Sequence, residues 1–135
     1  MQTFIPYPTI ADSVAHLARD RRRLGKQRVE VVQILGTLAG RSRGWANHPA
    51  VRMWRHHARF LAEYGLVVCA AWTAFGYRDT CADRIRELAA TFPESEAAAP
   101  PWWGRDDVHG SHLRALELKW QGRGDKARLQ YVWPG

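Results

Sequence analysis

An all-α fold is predicted from three features of the sequence. Apolar residues recur at three- and four-residue spacing along most of the chain, helix-start signals precede those stretches, and no convincing run of strands appears. The chain has 135 residues, 46% of them hydrophobic, enough for a core but no more than one domain's worth. The expected architecture is a single domain over residues 1–135. It is a compact bundle of about four to five helices with an extended N-terminal arm and a C-terminal tail.

Residues 2–8 carry Pro6 and Pro8 and read as an extended arm laid over the domain. Thr9 is the expected cap of the first helix, with Asp12 supporting its first turn. The helical pattern runs on to about Ala39, with Gly25 its weak point, and residues 40–44 form a loop. Asn47-His48-Pro49 predicts a new start, with Asn47 as cap and Pro49 in the first turn. That helix places Ala50, Val51, Trp54, Ala58 and Leu61 on one face and Arg52, Arg55, Arg59 and Glu63 on the other. Gly65 marks either a break or a tight packing point before an apolar segment to about Ala74. Residues 76–79 form a turn, and Asp79 or Thr80 caps a helix to roughly Ala90. A long loop over 93–104 leads to a last helix from about His109 to Trp120 and an extended tail ending Tyr131-Val132-Trp133-Pro134.

Lys and Arg number 20 against 13 Asp and Glu, a net charge of +7. This balance favours polyanionic partners: DNA, RNA or an anionic membrane surface. Only Lys26, Lys119 and Lys126 are lysines, and Arg is the residue suited to planar, bidentate phosphate recognition. The N-terminus has no signal-peptide pattern, and the longest apolar run, Leu66 to Phe75, is a core helix too short to span a bilayer. Cys69 and Cys81 lie in no metal-ligand pattern and read as reduced thiols. A cytoplasmic protein is expected, without a membrane partner.

On a helical wheel Asp12, His16, Arg19, Arg23, Lys26, Glu30, Gln33 and Thr37 share one face, with Arg22 beside them. A charged stripe is ordinarily a solvated face. This one is cationic over successive turns with little compensation, and so repels itself unless an anion sits there. Arg28 falls on the apolar side and must be paired or reach a site between helices. His109-Gly110-Ser111-His112 and His56-His57 lack the partners of a zinc set, so neither a metal nor a cofactor is expected. Walker A, GxGxxG and GxSxG motifs are missing, which argues against those nucleotide-binding and hydrolase folds. Trp102-Trp103, in a Pro-rich loop, either stack on unpaired bases or plug the end of the core.

The order of these features resembles the pyrimidine-dimer DNA glycosylase family. The residues that carry the resemblance are His16-Leu17, Arg22-Arg23-Leu24, the string 47–51 (Asn-His-Pro-Ala-Val), Arg59-Phe60-Leu61 and the string 76–80 (Gly-Tyr-Arg-Asp-Thr). A bacterial branch of the family is suggested by the strings 23–30 (Arg-Leu-Gly-Lys-Gln-Arg-Val-Glu), 48–54 (His-Pro-Ala-Val-Arg-Met-Trp) and 131–134 (Tyr-Val-Trp-Pro). The resemblance implies a helical fold in which the N-terminus threads between helices to the active site. There its α-amine attacks C1′ of the damaged nucleotide, forms a Schiff base and nicks the strand by β-elimination. An α-amine suits this work because it titrates at about 7.7–8.0, leaving a useful unprotonated fraction at neutral pH.

Carried onto this chain, the resemblance implies Met1 as nucleophile, since Gln2 disfavours removal of the initiator, and Glu30 as the catalytic carboxylate. Aligned on His16-Leu17, the family's own Glu position holds Arg23, and Glu30 follows two turns later on the same stripe. The expected nucleic-acid contacts are His16, Arg22, Arg23, Lys26, Arg28, His48, Arg52, Trp102, Trp103 and His112. The expected partner is damaged, double-stranded DNA in the nucleoid, bound by a monomer. Two other readings stay open: a non-catalytic nucleic-acid-binding relative, and an enzyme for a small anionic substrate in the same basic pocket.

Overall fold

The computed structural model describes residues 1–125 and 128–134. The described residues form six α-helices and no strand: α1 (Ile10–Leu17), α2 (Arg21–Leu38), α3 (Pro49–Arg52), α4 (Ala58–Ala74), α5 (Ala82–Ala89) and α6 (Asp106–Trp120). A 3₁₀ turn, Glu94–Ala97, interrupts the long loop before α6. No helix among the described residues is long and apolar enough to cross a membrane.

Thr9 caps α1 as expected, its Oγ1 accepting the Asp12 N–H at 3.1 Å. The first helix does not run unbroken to Ala39: it ends at Leu17, and Asp20 starts a new one, its side chain accepting the Arg23 N–H at 3.2 Å. The single stripe read along residues 12–37 is therefore split between two helices, α1 and α2. Asn47 is not the cap of α3. His48 is, with Nδ1 accepting the Ala50 N–H at 3.0 Å and Pro49 in the first turn. The helix expected through Trp54 and Ala58 also breaks. His56 adopts φ 71, a left-handed conformation, and α4 restarts at Ala58.

Helices α2 and α4 make the most extensive helix–helix packing, with α5 against both. Two glycines set that approach. A Cβ on Gly65 would lie 2.6 Å from Val31 Cγ1, and one on Gly25 would lie 2.8 Å from the Trp72 ring. Gly65 is thus the tight packing point, in the interior of α4, and Gly25 lies inside α2 without breaking it.

The arm does not lie over the bundle but runs through it, with residues 2–6 buried. Extended backbone inside a helical core has no ladder to satisfy its N–H and C=O groups. Here side chains take over that work. The Phe4 N–H donates to Gln27 Oε1 at 2.7 Å, and the Gln2 carbonyl accepts from Gln27 Nε2 at 2.8 Å. The Phe4 carbonyl accepts from the Tyr64 hydroxyl at 2.6 Å, and Thr3 Oγ1 from the Trp54 indole at 2.9 Å. On the other side, Ile5 is held by α6: its N–H donates to His112 Nδ1 at 3.1 Å and its carbonyl lies 2.7 Å from His109 Nδ1. No other helix backbone packs directly on α6 among the described residues; α6 joins the bundle across this arm and, at its end, through Trp120 on His16 and Asp20.

Candidate active site

The arm ends in a cavity of about 480 Å³. Met1, Gln2 and Phe4 come from the arm, Arg23, Lys26, Gln27 and Glu30 from α2, Lys119 from α6 and Tyr131 from the tail. The spacing of 23, 26, 27 and 30 puts these side chains on one face of α2, which explains how a single helix supplies four side chains of the wall.

Glu30 is the carboxylate of this cavity. Its side chain is only 12% exposed, and Oε2 accepts the Gln2 N–H at 3.3 Å and Gln27 Nε2 at 3.1 Å. Lys26 Nζ stands 3.9 Å from Oε1 on the solvent side. Gln27 is fully engaged: its oxygen accepts from Phe4 and approaches the Tyr64 hydroxyl at 3.0 Å, while its nitrogen donates to Gln2 and Glu30. That network fixes both the amide orientation and the position of the chain one residue from the α-amine. The Gln2 Nε2 donor is buried without a partner among the described residues.

Cations crowd the rest of the wall. Arg23 Nε is 2.9 Å from Asp20 Oδ2, which also accepts the Trp120 indole N–H at 2.8 Å. Burial, then the charges of Arg23 and Lys26, lower the pKa of Lys119, against the opposing pull of Glu30. Burial raises that of the Tyr131 hydroxyl, with Arg23 and Glu30 acting on it in opposite directions. Three basic side chains facing one buried carboxylate make this a site for an anion with room for a proton transfer beside it.

Four of the expected site residues meet here: Met1, Arg23, Lys26 and Glu30. Arg22 lies outside the cavity, in a shallow cleft with Arg19, Arg21 and Trp120. His48 is half-buried at the start of α3, and burial first, then the charge of the N-terminal amine, lowers its pKa. Arg52 is exposed in another cleft with Arg55, His57 and Arg105.

The remaining expected contacts hold the fold together. Arg28 is paired with Asp79 at 2.6 Å, with side chains only 13% and 6% exposed, and lies over the Trp72 ring at 4.5 Å. Asp79 in turn accepts the Cys81 and Ala82 N–H groups at the start of α5. His16 packs between Tyr7 and Trp120. Trp102 is buried with its indole N–H on the Met53 carbonyl, and half-buried Trp103 donates to the Pro8 carbonyl. Both tryptophans plug the end of the core. His112 is fully buried against the arm.

Sequence reasoning missed Gln27, Lys119 and Tyr131. Gln27 lay one position from the charged stripe with no chemistry to single it out, and Lys119 and Tyr131 reach the cavity only through the placement of α6 and the tail. Among the described residues, no group of three or more His, Cys, Asp or Glu side chains could hold a metal ion. Residues 1–85 match the family model described as pyrimidine dimer DNA glycosylase, a stretch that covers the arm and α1 to α4. No curated protein and no solved structure matches the chain.

Proposed function

The chain belongs to the pyrimidine dimer DNA glycosylase family, and from that premise we propose that it excises damaged pyrimidines from double-stranded DNA and nicks the resulting site as an AP lyase. The observation that carries the reading is the position of Glu30: it binds the Gln2 N–H at 3.3 Å in the same cavity that Met1 lines.

In this reading the neutral Met1 amine attacks C1′, forming an N–C1′ bond as the glycosidic bond breaks and the base leaves. Glu30 shuttles the proton that the nitrogen loses toward the sugar ring oxygen. That oxygen departs from C1′ to leave an iminium. Glu30, having passed that proton to the ring oxygen, takes the C2′ proton; the pair left behind forms a C2′=C3′ double bond and expels the 3′ phosphate with the electrons of its bond to C3′. Arg23, Lys26 and Lys119 hold the flanking phosphates, and Arg22 and Arg52 extend the cationic surface for the duplex. The protein acts as a monomer.

Lys119 supports a second assignment of the nucleophile, since it lines the same cavity and its pKa is lowered by burial and by Arg23 and Lys26. A borohydride experiment on DNA with an abasic site tests the reaction. A covalent protein–DNA adduct is expected with the free N-terminus and is lost when the N-terminus is extended or acetylated. An unreactive wild-type chain contradicts the lyase step, and unchanged trapping after blocking removes Met1 from it.

A further inference from the structure

One tryptophan has no place in the core. Trp45, in the turn between α2 and α3, is 51% exposed, the most exposed large hydrophobic side chain among the described residues. The turn that carries it is tied down. The Trp45 carbonyl accepts the His48 N–H at 2.9 Å, the Ala46 N–H donates to the Arg43 carbonyl at 3.2 Å, and Arg55 donates to the Ala46 carbonyl at 3.2 Å. An indole in water on a fixed turn is a surface ready to stack, because little conformational freedom is lost when it does so.

Its position points back to the active site. The Trp45 ring meets His48 edge-on at 5.6 Å, His48 meets Trp133 at 6.2 Å, and Trp133 meets Tyr131 at 5.5 Å. Tyr131 and Met1 line the same cavity. A base step advances a strand by ~3.4 Å, so this aromatic ledge leads from the cavity to Trp45 within a few nucleotides.

The charge around Trp45 selects the occupant. With Arg41, Arg84, Gln33 and Ser42 the ring lines a cleft of about 350 Å³ that has no carboxylate in its wall. Arg43 is exposed two residues away. A second copy of a chain with net charge +7 is repelled from such a surface, whereas a nucleic-acid strand offers phosphates to the arginines and π-faces to the indole.

We propose that Trp45 stacks on the face of a DNA base a few nucleotides from the reacting one, with Arg41 and Arg43 on the adjoining phosphates. This rests on DNA being the substrate, as proposed above. The test is binding of the full chain to a duplex with one tetrahydrofuran abasic-site analogue, followed by fluorescence anisotropy over a range of salt. Trp45→Ala is expected to weaken binding about tenfold while Trp45→Phe restores most of it. The slope of log affinity against log salt stays at the wild-type value in both, because no cation is lost, and falls by about 1 in Arg41→Ala. Equal affinity of Trp45→Ala and wild type overturns the proposal, as does a Phe variant no better than Ala. A wild-type chain that binds this duplex but leaves damaged DNA uncut refutes the proposed reaction alone, and Trp45 is still decided by the same comparison. A wild-type chain that does not bind overturns both.

Discussion

The Gln2 peptide N–H donates to Glu30 across 28 residues of sequence, at 3.3 Å, and Gln27 braces both partners. The amine is thus positioned by a hydrogen-bonded segment of buried backbone, with the Met1 side chain packed against the core. Gln27→Ala strands the Phe4 N–H and the Gln2 carbonyl in the core, where each unsatisfied group costs about 1–3 kcal/mol. Urea denaturation is expected to show a loss of about 2–6 kcal/mol. A midpoint equal to wild type would mean that the arm is held by other contacts.

Glu30→Gln keeps the hydrogen-bond geometry around Gln2 and removes the proton acceptor. Strand cleavage of abasic DNA is expected to fall by about 10²–10⁴, the usual worth of a positioned acid or base. Affinity for the same DNA stays close to wild type. Single-turnover kinetics with binding measured in parallel separate the two, and cleavage at the wild-type rate rules out Glu30 as the acid/base.

Arg22 and Arg28 are both candidates for phosphate contact in the sequence, yet they differ in kind. Arg28→Ala leaves Asp79 buried and unpaired at the start of α5, which is expected to cost about 3–5 kcal/mol of stability without changing the salt dependence of DNA binding. Arg22→Ala is expected to do the reverse, leaving the thermal midpoint in place and lowering the salt slope by about 1. Swapped outcomes would contradict the assignment of Arg28 to the fold.

His112 makes the arm sensitive to acid. Burial, then the charge of neighbouring His109, lower its pKa from 6.5 to about 3, and its Nδ1 must stay unprotonated to accept the Ile5 N–H. Between those values the unfolded chain binds a proton that the folded chain refuses, so stability is complete above pH 6.5 and falls as pH drops toward 3. The slope from one such group is about 1.4 kcal/mol per pH unit. His16 and His48, also lowered, act in the same direction. Asp79, although burial pushes it up, is held below its usual 3.8 by Arg28 and the α5 N–H groups, and adds a loss only under that pH. Denaturation of wild type and His112→Asn at pH 7 and pH 5 tests this: the variant is expected to lose the larger part of the pH dependence.

Local chemistry was legible in the sequence, and long-range closure was not. The helical class, the Thr9 cap, the Asp79 start of α5 and the need to pair Arg28 all rest on spacing within a turn or two. Asp20, which splits the first long helix, stood in a charged run where its capping role was hidden. His109 and His112 carry no metal spacing, so their three-residue interval had no visible purpose until Ile5 lay between them and the core. The two loop tryptophans that drew attention are pinned by their indole N–H groups, and the exposed one, Trp45, is set apart only by its surroundings. Of the cavity, the α2 wall could be read from a helical wheel. Lys119 and Tyr131 could not, because nothing local brings α6 and the tail to α2.

The proposed role of the Met1 amine as nucleophile is decided by peptide mapping, by mass spectrometry, of the adduct trapped by borohydride on abasic DNA. The sugar remnant is expected on the N-terminal nitrogen of the peptide that begins at Met1. An adduct on the Lys119 side chain, the rival amine of the same cavity, would contradict it.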